Sequence, residues 1–245
     1  LQNVSVTFAK GTILERQALK SINLTVNEGD FITVIGNNGA GKSTIQGVIA
    51  GTVIADSGDI LIDNESIIKQ NTYKRSRFIA RVFQDPRTGT SEQLSIEENM
   101  SLAANRGTAR NLNFAITNVE RQFFAEKLSH LNMNLENRLT DLVGSLSGGQ
   151  RQALSLVMAT LAPAKLLLLD EHTSALDPKM AETIMQLTNK IVEENNLTVL
   201  MVTHNIEHAL FFGNRTIMLK EGRIAYDLTK EERSSFDPRS LLSVY

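Results

Sequence analysis

Residues 36–44 read Gly36, Asn37, Asn38, Gly39, Ala40, Gly41, Lys42, Ser43 and Thr44, a match to G-x-x-x-x-G-K-[ST]. The pattern constrains a fold tightly, because its mechanism needs a strand before it and a helix after it. Both are legible. Residues 31–35, FITVI, form a short β-rich run that predicts a buried strand, and residues 43–50 read as the start of a helix. Phosphate oxygens need many donors at short range, and bare main chain supplies them where no side chain intervenes. The following helix adds unpaired N–H groups and the positive end of its dipole. In such a loop Lys42 reaches the β- and γ-phosphates and Ser43 ligates Mg²⁺. A plain Gly-rich turn with a chance lysine would need neither flanking element.

Strand-like runs recur and alternate with helical ones. Turn residues over 51–64 surround the apolar run 60–62, and residues 78–83 are a strand candidate closed by Asp85 and Pro86. Residues 92–161 change character: segments there are of helix length, and Phe123, Phe124, Leu128 and Leu131 fall at helical spacing. Residues 166–169 and 198–203 are apolar strands separated by a helical stretch over 179–195, and 218–227 predicts a hairpin around Glu221 and Gly222. Alternation of this kind implies a mainly parallel sheet, with the central helical block inserted into it. The cations Lys74, Arg75, Arg77 and Arg81 within 73–81 predict a solvated helix face, and the tail from Lys230 predicts a polar, solvated end.

With 245 residues, 42% of them hydrophobic, a core of useful size fits a single α/β domain. A net charge of −2 gives no broad basic face, so no nucleic-acid partner is expected. The lack of cysteine excludes structural disulfides and thiolate zinc sites, and is compatible with a reducing cytoplasm. No run of about 18 apolar residues and no signal peptide are present, so a membrane role would come through a partner subunit. The chain starts at Leu1 rather than Met, which predicts a few further native residues before it.

A second anion site is legible at 146–150, where Leu146, Ser147, Gly148, Gly149 and Gln150 precede a helix-like run over 151–161. Ser147 predicts the N-cap, and the glycines expose main-chain N–H groups. A competing pattern lies at 204–208: His204-Asn-Ile-Glu-His208 fits H-x-x-E-H, a zinc-protease signature, although no third ligand is evident.

Taken together, the phosphate loop, Gln84 after the run RVF, LSGGQ, the run LLLLDE, SALD at 174–177 and His204 after VLMVT resemble an ATP-binding-cassette (ABC) transporter ATPase subunit. The resemblance covers nearly the whole chain and matches the family in order and rough spacing. It implies an α/β P-loop nucleotide-binding domain with a mainly parallel RecA-like core sheet, antiparallel N-terminal strands and an inserted helical subdomain. The expected division is core over about 1–85 and 162–230, helical subdomain over about 86–161 and polar tail over 231–245. ATP and Mg²⁺ are the implied ligands. Asp170 would bind Mg²⁺, together with Ser43 and Gln84, and Glu171 would act as general base on the attacking water. His204 would contact the γ-phosphate, and Gln84 would sense it. Phe8 stands where the family stacks an aromatic, usually Tyr, on adenine. His172 departs from the family's usual Pro and receives no role.

The resemblance further implies a head-to-tail dimer, with a second copy or a homologous ATPase. Ser147, Gly148, Gly149, Gln150 and Asp177 would then complete the partner's ATP site. Separately encoded permease subunits, contacted near 85–100, and an extracellular binding protein complete the implied assembly, on the cytoplasmic face of the membrane. The details at 170–173 and 214–217 resemble importers paired with a binding lipoprotein and a branched-chain-type permease, some of which are assigned to aromatic amino acids. The alternative is a soluble ABC-type ATPase acting in translation or DNA maintenance; such proteins usually carry two cassettes or long coiled-coil insertions, which are absent here.

Overall fold

Runs of buried β-branched and aliphatic residues set the strands of this chain, and side-chain caps start most of its helices. The structure, a computed structural model, describes residues 1–108 and 116–235. In chain order the elements are β1 (Gln2–Phe8), β2 (Arg16–Ile22), β3 (Phe31–Gly36), α1 (Lys42–Ala50), β4 (Ser57–Asp59), β5 (Leu61–Ile62), β6 (Glu65–Ser66) and α2 (Thr72–Arg75). They continue with β7 (Ile79–Val82), α3 (Ile96–Ala104), α4 (Asn118–Ser129), α5 (Gly148–Leu161), β8 (Leu166–Asp170) and α6 (Pro178–Glu194). The last are β9 (Val199–Val202), α7 (Ile206–Phe211), β10 (Arg215–Lys220), β11 (Arg223–Thr229) and α8 (Lys230–Ser235).

By internal packing the chain divides into two compact units. One comprises residues 1–76 and the described residues from Asn196 on; the other is Arg77–Asn195. These boundaries differ from a division at 85 and 162, because β7 pairs with β8 and α5 packs on β7, which draws those strands to the helical block.

In the first unit β3 is buried at every position, as a strand covered on both faces must be. It lies between β10 and β9, parallel to both, with Val34 opposite Ile217 on one side and Val202 on the other. β11 closes the β10 edge as an antiparallel hairpin turning at Glu221 and Gly222, the hairpin the sequence predicts. A separate antiparallel layer pairs β1 with β2 and β4. Helix α1 buries Ile45, Val48 and Ile49, and the buried Gln46 donates its side-chain amide to Leu200 O at 3.1 Å. In the second unit β7 and β8 pair in parallel, and Ile96, Met100, Phe124, Leu128, Leu154 and Ile184 form one apolar cluster among α3–α6. The helical spacing of Phe123, Phe124 and Leu128 falls in α4, started by a Thr117–Glu120 capping box, with Leu131 just past its end.

Two expectations of solvated charge are overturned. Arg75 is buried: it donates to Val48 O, Ile49 O, Ile68 O and Gln70 O, and so caps the end of α1 instead of facing water. Arg81 is half-buried on β7, paired with Asp170. The expected polar tail also begins with order, since α8 buries Arg233, which donates to Ala209 O, Phe212 O and Gly213 O. A guanidinium can be buried where several carbonyls converge on its fixed fork of donors. Residues 236–245 of that tail lie outside the described residues.

Candidate phosphate-loop and carboxylate sites

The turn from β3 into α1 exists because glycine stands at two crowded positions. Gly36 (φ 148) leaves no room for a Cβ beside the main-chain carbonyl of Leu219, and at Gly41 (φ 109) a Cβ would lie 2.7 Å from Ala18 O. Lys42 begins the helix and is buried; its ammonium turns back over the loop and donates to Gly36 O at 2.6 Å and Asn37 O at 3.1 Å. Asn37, Asn38 and Gly39 are exposed at the tip, Ala40 is buried, Ser43 is exposed and Thr44 half-buried. Gly41 is the N-cap of α1 and supplies no side-chain acceptor, whereas α2, α3, α4, α5, α6 and α7 each carry a side-chain cap. The N-cap of α1 therefore brings no side chain of its own to the first amides of the helix, and a helix start of this kind favours an anion.

Arg16, absent from the sequence-predicted set, donates to Gly39 O. It stands opposite Phe8 in the β1–β2 register, so pairing of those strands brings a guanidinium and an aromatic ring to the loop's neighbourhood. No motif signals this, because it depends on strand register. Phe8 is 44% exposed, which rules out a core role and leaves a ring face for a ligand. His204 is exposed just after β9 and before Asn205, the N-cap of α7. It thus precedes the helix that holds His208, so the two do not share a helix face as the zinc-protease pattern demands. Among the described residues no group of three or more His, Asp or Glu side chains is placed to hold a metal ion.

In the second unit β8 delivers Asp170 at its end and Glu171 just beyond it. Glu171 sits at φ 46, a left-handed conformation that a glutamate adopts only when its surroundings impose it. Both the main-chain N–H and the Oγ of Ser174 donate to Glu171 O at 2.9 Å. Gln84 Nε2 in turn donates to Ser174 Oγ at 3.0 Å, so Ser174 joins the second residue past β7 to the residue after β8. His172 is buried, with Nε2 3.0 Å from Thr188 Oγ1 on α6. That contact anchors the turn that presents Glu171, a structural task the sequence left open.

Ser147 caps α5 as predicted: its Oγ accepts from Gln150 N at 3.3 Å, and the Gln150 side chain accepts from Ser147 N at 3.2 Å. The two neighbouring glycines have different physical reasons. A Cβ at Gly149 would overlap the Met180 side chain of α6, so Gly149 permits helix packing. At Gly148 a Cβ would meet only Leu176 Cδ2, at 3.8 Å, and the position is exposed. Asp177 is exposed and caps α6, accepting from Met180 N at 3.1 Å. The structure thus brings together the loop residues in one unit and Gln84, Ser174, Glu171 and Asp170 in the other.

A family model described as "ABC transporter" matches residues 19–174, and a second, described as an AAA domain, matches residues 142–207. The chain is 39% identical over 245 residues to the "Tyrosine transport ATP-binding protein" of Clostridioides difficile (strain R20291), covering 100% of this chain and 97% of the relative. It is 34% identical over 209 residues to the "Thiamine import ATP-binding protein" of Salmonella choleraesuis (strain SC-B67), covering 85% of this chain and 84% of the relative. Among solved structures it is similar to a dimeric ATP-binding cassette in a post-hydrolysis state bound to ADP and Pi. The TM-score there is 0.79 at 32% identity, covering 94% of this chain and 97% of that one.

Proposed function

From the premise that the chain belongs to the ABC transporter family, we propose how its residues divide the work of ATP hydrolysis and which cargo that work moves. The chain is an ATP-binding and ATP-hydrolysing subunit of an import system. The observation that carries the residue-level reading is the α1 N-terminus, where the N-cap Gly41 brings no side chain and the Lys42 ammonium turns back over the loop. Residues 36–44 hold the nucleotide phosphates through main-chain N–H groups and the Lys42 ammonium, and the exposed ring of Phe8 stacks on the base.

Ser43, Gln84 and Asp170 offer hydroxyl, amide and carboxylate oxygens, the hard donor set that Mg²⁺ takes. The cation, when bound, neutralises charge on the phosphates. Glu171 accepts the proton of the attacking water, held in its left-handed turn by Ser174 and His172. Gln84 shares Ser174 with that turn, and His204 orients the γ-phosphate. Ser147, Gly148, Gly149, Gln150 and Asp177 of a second chain complete the site, so that ATP closes a head-to-tail dimer. No helix among the described residues is long and apolar enough to cross a membrane, and we place the subunit on the cytoplasmic face through its permease.

An aromatic amino acid of the tyrosine class is the cargo we propose, delivered by an extracellular binding protein. The support is full-length similarity to a tyrosine transport protein, where the thiamine relative aligns over 85% of the chain. One variant tests both halves. Glu171→Gln should bind ATP normally and lose turnover by about 10²–10⁴-fold, the usual loss on removing a general base. Cells carrying only that variant should stop accumulating labelled tyrosine. Near-normal hydrolysis by the purified variant would sink the base assignment; tyrosine uptake unaffected by loss of hydrolysis would sink the cargo.

A further inference from the structure

Strand β7 reads Ile79-Ala80-Arg81-Val82, with Ile79, Ala80 and Val82 buried. Arg81 is the odd member of an apolar strand. It faces Leu168 in the parallel register with β8, and Asp170 is two residues further along β8, on the same face. Arg81 Nη2 donates to Asp170 Oδ2 at 2.7 Å, with the two side chains only 19% and 16% exposed. The guanidinium carbon lies 4.6 Å from the centre of the Phe83 ring, one residue before Gln84. Arg81 Nε is buried with no hydrogen-bond partner among the described residues.

A purely structural role explains this poorly. A half-buried ion pair with an orphan donor is no better for stability than an apolar side chain of similar volume packed on Phe83. What the arginine does provide is a positive charge on the carboxylate proposed to hold Mg²⁺. The stack on Phe83 keeps that charge in place without hydrogen-bonding the remaining donor.

We infer that Arg81 is a positioning residue that competes with the divalent cation for Asp170. Its guanidinium neutralises the carboxylate in the absence of metal, and yields the Oδ2 contact when Mg²⁺ and nucleotide arrive. The consequence is a higher Mg²⁺ requirement than Asp170 alone would set. This rests on the reading of Asp170 as a magnesium-site residue.

The test is a Mg²⁺ titration of fluorescent ATP-analogue binding and of hydrolysis, on the full chain. Arg81→Met should lower the half-saturating Mg²⁺ about two- to five-fold, the effect of one modest competing ion pair. Its affinity for the analogue in EDTA should match the wild type. Arg81→Lys, which keeps a cation, should stay within about two-fold of wild type. A half-saturation unchanged or raised in Arg81→Met overturns the inference. Asp170→Asn separates the two readings: it should raise the Mg²⁺ requirement. If it does not, the magnesium role of Asp170 fails; if it does while Arg81→Met has no effect, only the competition fails. Should Arg81→Met not fold, Phe83→Leu loosens the guanidinium while keeping both charges, and must also lower the requirement for the inference to stand.

Discussion

Arg75 is a side chain whose removal leaves several main-chain groups stranded at once. Its guanidinium satisfies four carbonyls, and two of them, on Val48 and Ile49, end the helix that begins at the phosphate loop. A Cβ at Gly51 would touch it at 3.0 Å, so the α1 C-terminus and the arginine are fitted to each other. Burial holds the Arg75 pKa below its ordinary value, yet the group stays charged at any working pH. Arg75→Met should therefore destabilise the protein by about 2–4 kcal/mol, as buried acceptors lose a charged donor. Urea unfolding measures this, and a loss below about 0.5 kcal/mol would contradict the capping role. In the sequence Arg75 looks like any member of a basic cluster. Only the convergence of residues 48, 49, 68 and 70 shows what it does.

Helices α3 and α4 illustrate how elements, once formed, are tied. Each begins with a capping box, Ser95 with Glu98 and Thr117 with Glu120, which a reader of sequence can find. The tie between them is less legible: Arg121 of α4 grips the buried Glu97 of α3 through two bonds of 2.6 and 2.8 Å. The hydrogen bond from Arg121 holds the Glu97 carboxyl below the usual glutamate range. A carboxylate with a depressed folded pKa contributes stability that is present above its unfolded pKa and is lost as pH falls through the folded one. The Glu97 contribution is thus full above about pH 4.5 and fades below it. Glu97→Gln should lower the melting temperature at pH 7 and narrow its difference from wild type as pH falls below 4.5. A constant difference across that range would mean that the ion pair is not what the substitution removes. At the same scale, the predicted strand over 78–83 and helix over 179–195 are β7 and α6, since burial periodicity is a local property. The grouping of β7 with the helical block was not legible, because parallel pairing of β7 with β8 joins residues far apart in the chain.

For the molecule as a whole, the proposed head-to-tail dimer turns on Gly148. A Cβ there would make only ordinary contact with Leu176, so an added side chain should leave the fold intact. Gly148→Asp in the Glu171→Gln background should bind ATP in its own loop yet run as a monomer by light scattering, because a carboxylate there repels the partner's phosphates. The parent Glu171→Gln protein should run as a dimer with ATP. Persistence of the dimer in the double variant would remove residues 147–150 from the interface. The sequence by itself determined the α/β class, the strand–loop–helix at 36–44 and the place of Asp170 and Glu171 at the end of a strand, because spacing within a motif and alternation within an element are local. It also placed Ser147 as a cap, since a cap and its amides lie three residues apart. Only the tertiary structure decided that Arg16 lies on the phosphate loop, that Arg81 holds Asp170, and that Gly149 is small for the sake of Met180. Those contacts arise from strand register and helix packing between distant segments, where charge and size find partners that no short window of sequence contains.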